Sequence, residues 1–272
     1  MPYMNYKDMQ VYYEIFGEGK PLLILNGIMM STTSWNMFKN AFSKNNQIIL
    51  LDFLDQGKSY KMKDSVYTQD IQVEVVKALL DHLVLDQVSM VGISYGGEVA
   101  LRFAVKYQEY IDKLVLANTA ARTSPWLRDI GTTWNLSTGN PMDYYCTSIP
   151  VIYSPEFYNK NIEWMNNRKY TLTNGAFANK EFMEAMVRLT DSANDHNVID
   201  ELQNIKLPTL IISCENDYLT PMAEQKRLHQ LITTSELVVL PDTGHASMYE
   251  KPVLFATLVL GFVNLESYEF KL

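Results

Sequence analysis

The chain has 272 residues, 47% of them hydrophobic and 20% charged, a globular balance that suits one large α/β domain or two smaller ones. A formal net charge of −8 and a pI near 5.1, with no lysine- or arginine-rich run, exclude a protein that binds nucleic-acid phosphates through counterion release. The opening "MPYMNYKDMQVYYEIF" lacks a basic and apolar leader pattern, and no apolar stretch approaches the roughly 18 residues of a spanning helix, so a soluble cytoplasmic protein without a membrane span is expected.

In chain order, apolar runs at 10–17, 21–26, 47–53, 88–93, 112–118, 208–214 and 235–240 alternate with helix-like segments. Most runs are continuous rather than alternating, as strands buried on both faces of a parallel sheet should be. Ile71, Val75, Leu79 and Leu83 repeat every four residues and predict an amphipathic helix, and 96–107, 222–232 and 252–265 read as further helices. The pattern predicts an α/β fold, a mostly parallel central sheet with helices on both faces.

From about Ser124 to Asn197 the alternation stops. This stretch holds Trp126, Trp134 and Trp164 together with Tyr144, Tyr145, Tyr153, Phe157 and Tyr158. A structureless loop of that length is improbable in a compact domain, so a helical insertion at 124–197 is expected within a core formed by 1–123 and 198–272. Pro141, Pro150 and Pro155 are expected to cut it into short pieces. Most of its aromatics should pack against the core, with a minority lining a pocket beneath a lid. They suit a homodimer contact as readily as a pocket.

"VGISYGG" at 91–97 sets Ser94 between Gly92 and Gly96, directly after an apolar run and before "GEVALRFAVKY". A strand turning abruptly into a helix strains the residue at its apex, and side chains two residues to either side would collide with the neighbouring elements. Glycine at both places removes the collision. The apex side chain then projects clear of the sheet beside the free N–H groups of a helix start, where negative charge is favoured. Ser94 is thus a candidate nucleophile, the alternative being an inert serine in a strand-to-helix turn.

A serine hydroxyl needs a base and an acid to orient that base. His82 and His229 lie within predicted helices as solvated residues, and His196 in "SANDHNV" reads as a surface loop residue. His245, in "LPDTGHAS" after the last strand, sits where a side chain reaches the carboxyl edge of the sheet. Asp217 in "ISCENDYLTP" follows the preceding strand; it could equally be a turn or capping aspartate, and Glu215 is its competitor. Cys146 and Cys214 are far apart without metal or redox spacing, so idle or buried thiols are expected.

Taken together, "LLILNGIM" at 22–29, "LDFLDQGKS" at 51–59, "GISYG" at 92–96, "ENDYLTP" at 215–221 and "DTGHAS" at 242–247 resemble the α/β-hydrolase superfamily in its branch with a helical cap domain, over essentially the whole chain. The resemblance implies nucleophile Ser94, acid Asp217, base His245, and an oxyanion hole from the backbone N–H groups of Tyr95 and Ile28, with Met29 as second choice. It implies no metal and no organic cofactor. Relatives that attack with aspartate, the haloalkane dehalogenases and epoxide hydrolases, differ at the apex, so acyl-transfer chemistry on a carboxylic ester, thioester or lactone is expected. The apolar, methionine- and aromatic-rich insertion suggests a small-molecule acyl substrate that is partly apolar. An acyltransferase, a C–C bond hydrolase or a perhydrolase would use the same triad, and a weakly catalytic ligand-binding protein would retain it. Two departures stand out: Asn26-Gly27 where His-Gly is usual, and Asp55 with Gln56 in a turn that is commonly glycine-rich. Asp55 is expected to be structural or at the pocket rim.

Overall fold

The computed structural model describes residues 2–266. Its strands are β1 (Tyr3–Tyr6), β2 (Met9–Phe16), β3 (Lys20–Leu25), β4 (Asn46–Leu51), β5 (Val88–Ile93), β6 (Ile111–Ala117), β7 (Thr209–Cys214) and β8 (Ser235–Leu240), in the spatial order β1-β2-β4-β3-β5-β6-β7-β8. β1 and β2 are antiparallel at one edge, and β4 through β8 run parallel with β3. The helices are α1 (Lys39–Phe42), α2 (Asp70–His82), α3 (Tyr95–Tyr107), α4 (Pro125–Ser137), α5 (Pro141–Ile152), α6 (Pro155–Lys160), α7 (Ile162–Asn174), α8 (Lys180–Ser192), α9 (Met222–Leu231), α10 (Ser247–Glu250) and α11 (Pro252–Asn264).

The continuous apolar runs feed two cores because neighbouring residues of a strand point to opposite faces. In β3, Leu23 and Leu25 join Ile49, Met90 and Leu116 against α2 and α3, whereas Leu22 and Ile24 join Ile48, Val91 and Val115 against Trp35, Phe38, Phe42 and Phe255. Each such fully buried side chain contributes roughly 1.5–3 kcal/mol, which is why every position of β5 and β7 is buried. In α2 the buried stripe is Val75, Val76, Leu79 and Leu80, with Ile71 and Leu83 only half-buried at its ends. A strict four-residue repeat drifts around a helix of 3.6 residues per turn, so its end members leave the face.

β1 has no counterpart in the apolar pattern. It is short and polar, and it exists because Lys7 and Asp8, both at positive φ (46° and 65°), form a tight hairpin that returns the chain onto β2.

Residues 124–197 contain α4 to α8 and no strand. Ser124, Asn140, Ser154 and Asn179 each accept a backbone N–H at a helix start, and proline opens α4, α5 and α6. Pro141 and Pro155 therefore start helices. Pro150 departs from the expectation: it lies inside α5, close enough to its end that the chain runs on only to Ile152. The two ends of the insertion meet where Arg122 bridges Asn197, Thr123 N–H donates to His196 O (2.8 Å) and Val198 N–H donates to Ala121 O (2.9 Å). Among the described residues no helix is long and apolar enough to cross a membrane.

Candidate active site

The chain passes from β3 to β4 on one side and then crosses to β5 on the other, so the loops after β3 and β5 leave the sheet side by side at its carboxyl edge. Crevices at such a switch point are where open α/β sheets bind ligands. Ser94, between β5 and α3, has φ 52° and ψ −120°, a strained conformation for a residue with a side chain. The flanking glycines are sterically required. A Cβ on Gly92 would lie 2.6 Å from Gly96 O, and one on Gly96 would lie 2.6 Å from Asn26 O.

His245 and Asp217 come from the loops after β8 and β7. His245 Nε2 is 2.8 Å from Ser94 Oγ, and His245 Nδ1 is 2.8 Å from Asp217 Oδ2. Asp217 also accepts from Leu219 N–H, Thr220 N–H and the Thr220 hydroxyl (2.9 Å each) and from Asn118 Nδ2 (3.0 Å). Burial alone would push this carboxyl up, but His245 and these donors outweigh it and hold Asp217 below the usual carboxylate range. Asn118 is itself fixed by the Ser247 hydroxyl (2.7 Å) and ties three strand-end loops together. The competitor Glu215 turns away and accepts from Asp242 N–H (2.9 Å).

The other histidines are elsewhere. His82 is exposed beside Tyr13, and His229 contacts Ser235. His196 corrects the expectation of a surface residue: it is 2% exposed, with Nε2 2.9 Å from Ala120 O and Nδ1 accepting from Arg102. Burial pushes its pKa down to about 4, so it serves as a neutral strut at the base of the insertion. Cys214 is buried, which pushes its thiol up to about 12 and leaves it inert, while Cys146 is exposed.

Asn26 and Gln56, one from each departure from the family pattern, form a single hydrogen-bonded device. Asn26 Nδ2 donates to Leu51 O (2.7 Å) and to Gln56 Oε1 (3.3 Å), while Asn26 Oδ1 accepts from Trp35 Nε1 (2.8 Å). Gln56 Nε2 in turn donates to Gly27 O (2.8 Å) and Ile28 O (3.3 Å). Asparagine and glutamine thus hold the loop after β3 against the nucleophile, where a Cβ on Gly27 would sit 3.6 Å from Ser94 Cβ. Ile28 lies in this loop and Tyr95 opens α3, whose first-turn N–H groups have no partner within the helix. Both residues, and Met29, line the same cavity as Ser94 and His245.

That cavity has a volume of about 380 Å³ and runs between the sheet edge and the insertion helices. Leu127, Ile130, Trp134, Ile149, Leu172 and Phe177 make it largely apolar. Besides His245, three acidic or basic residues on its wall have no assigned role in the sequence: Glu98, Arg168, and Arg128, which donates to Asn194 O (2.8 Å). Glu98, one helical turn after Ser94, accepts from Gln69 Nε2 (2.6 Å); its only signal is a carboxylate within the apolar run "GGEVAL". Arg168, on α7, has no sequence signal.

Asp55 is structural. At φ 70° it accepts from Met62 N–H (2.9 Å), the Tyr67 hydroxyl (2.7 Å) and the Arg188 fork (2.6 and 3.0 Å), an ion pair joining the loop after β4 to α8. The Asp55 side chain is fully buried. Arg188→Leu is expected to cost roughly 3 kcal/mol in urea unfolding because it strands a buried carboxylate. Adding Asp55→Asn should recover part of that loss, and a double-mutant cycle measures the coupling.

The model of the α/β hydrolase fold family matches residues 20–252. The chain is 27% identical over 268 residues to the uncharacterized hydrolase YugF of Bacillus subtilis (strain 168), covering 94% of this chain and 95% of that one. It is 26% identical over 257 residues to the 2-hydroxymuconate semialdehyde hydrolase of Pseudomonas sp. (strain CF600), covering 91% and 88%. The solved structure of MGS-M2, an α/β hydrolase enzyme from a Medee basin deep-sea metagenome library, superposes with a TM-score of 0.97 at 48% identity, covering 99% of this chain and 100% of that one. With its strand order, its strained serine elbow and these matches together, the chain belongs to the α/β-hydrolase fold family.

Proposed function

We propose that this hydrolase cleaves a carboxylic ester, thioester or lactone through Ser94, His245 and Asp217 and an acyl-enzyme intermediate. The observation that carries the reading is the continuous hydrogen-bonded chain from Ser94 Oγ through both nitrogens of His245 to Asp217, at 2.8 Å in each step. Ser94 Oγ attacks the substrate carbonyl as His245 Nε2 takes its proton. The oxyanion receives the N–H groups of Ile28 and Tyr95, which are aimed before charge develops and so need no reorganisation. His245 returns the proton to the leaving group, then activates the water that releases the acyl group. Asp217 holds the ring and stabilises the imidazolium without itself taking the proton. Helices α4 to α8 act as a cap that keeps the cavity apolar and excludes water.

The relative that hydrolyses 2-hydroxymuconate semialdehyde favours a second reading, C–C bond hydrolysis with the same three residues. The binding-protein alternative loses its motive, since Asn26 has a framework role that explains its presence. A fluorophosphonate probe is expected to label the intact protein but not Ser94→Ala, and only weakly His245→Ala. A p-nitrophenyl ester chain-length series then sizes the acyl site. An intact protein that takes no label would overturn the activated serine.

A further inference from the structure

Arg168 is a cation without a counter-ion on the wall of the cavity that holds Ser94 and His245. Its guanidinium lies 5.2 Å from the ring centre of Tyr249, 5.4 Å from Trp164 and 5.8 Å from Tyr153. Its Nε is buried with no hydrogen-bond partner, and among the described residues it takes part in no ion pair. Ring faces attract the charge but accept hydrogen bonds only weakly, so the planar donor edge of the guanidinium is left unfulfilled. Glu250, which like Arg168 lies beside Tyr153, does not answer it: its two oxygens accept from Ser154 N–H (2.8 Å) and the Ser154 hydroxyl (2.7 Å). The one carboxyl among the cavity-lining residues, Glu98, is engaged with Gln69. An unpaired cation whose Nε is shut off from water costs stability, and since Arg128, the other arginine on the wall, is engaged with Asn194 O (2.8 Å), Arg168 is the lining cation that a ligand would complete.

We propose that Arg168 is the specificity-determining residue of this cavity and that the substrate carries, besides its scissile bond, a carboxylate which the Arg168 guanidinium pairs with. A carboxylate pairs with a guanidinium through two parallel N–H···O bonds, here from its terminal N–H groups, and the aromatic rings hold the guanidinium in place without neutralising it. The proposal rests on the hydrolase reading for the identity of the scissile bond, but not for the anion.

The test has two arms. In the first, monomethyl glutarate, adipate and suberate are compared by pH-stat with methyl valerate, hexanoate and octanoate, in the intact protein, Arg168→Met and Arg168→Lys. The intact protein is expected to prefer the hemiesters. In Arg168→Met the hemiester-to-neutral-ester ratio of kcat/KM should fall roughly ten- to hundredfold, mainly through KM, with Arg168→Lys between the two. Equal losses on both series would mean that Arg168 only packs, and an unchanged ratio would likewise overturn the proposal.

In the second arm, glutarate and adipate are titrated into the intact protein and Arg168→Met while intrinsic tryptophan fluorescence is followed, which requires no turnover. Saturable quenching that disappears in Arg168→Met, with an unchanged melting temperature, supports the anion site even if no ester is hydrolysed. In that event cleavage of simple carboxylic esters fails as the reading and the Arg168 assignment stands. Absence of quenching in the intact protein, or its persistence in Arg168→Met, overturns the assignment whatever the esters show.

Discussion

Asp217→Asn is expected to lower kcat on a good ester substrate by roughly 10³–10⁴-fold while leaving the protein folded. The carboxylate takes five hydrogen bonds, four of which come from groups other than His245. An asparagine has one acceptor oxygen and a donor amide in its place. If the oxygen stays with the Leu219 and Thr220 N–H groups, the amide faces His245 Nδ1. The ring must then present Nδ1 as acceptor and carry its proton on Nε2, so it can no longer take one from Ser94. Steady-state kinetics alongside a thermal melt separates this from unfolding. Asn118→Ala, which removes one donor and leaves the tautomer intact, should cost far less. A Asp217→Asn variant within tenfold of the parent would sink the triad reading.

The second large effect lies in stability. Burial pushes the Glu98 carboxyl up to about 8, against the smaller opposing influence of the Gln69 hydrogen bond and of Arg102. A folded-state pKa above the unfolded value means that the native protein holds a proton which the unfolded chain releases. The associated stability is present below the unfolded value, near 4.5, and is lost as pH rises through about 8. The swing is on the order of 5 kcal/mol. Glu98→Gln keeps a neutral, hydrogen-bonding side chain of the same shape, so it should abolish that component. Denaturant unfolding of both proteins at pH 5 and pH 9 checks it: the parent should lose stability relative to Glu98→Gln at the higher pH. Asp217 contributes with the opposite sign, its stability being lost as pH falls, because its folded pKa is lowered. A Glu98→Gln variant that tracks the parent across the range would show that Glu98 does not carry the native proton.

What the chain disclosed without a structure was whatever depends on neighbours in sequence. The strands were legible because burial on both faces leaves almost only apolar residues in "PLLILN" and "VSMVGI". Ser94 was legible because the elbow is a five-residue steric problem with glycine as its solution, and Asp217 and His245 because loops after successive strands share one edge of the sheet. The three prolines were read alike as cuts in the insertion, whereas Pro141 and Pro155 open helices after Asn140 and Ser154 and Pro150 lies inside one.

The tertiary structure alone decided what depends on residues brought together from far apart. Asn26 meets Gln56 across 30 residues, Arg188 meets Asp55 across 133, and Arg102 meets His196 across 94. Asn26 stood out only as a departure in the loop after β3 because its partner Gln56 could not be seen. His196 looked exposed because a polar loop sequence carries no sign of the helix that covers it. Glu98 and Arg168 share the reason: whether a charge faces water or a cavity is settled by which elements pack around it, and that has no local signature.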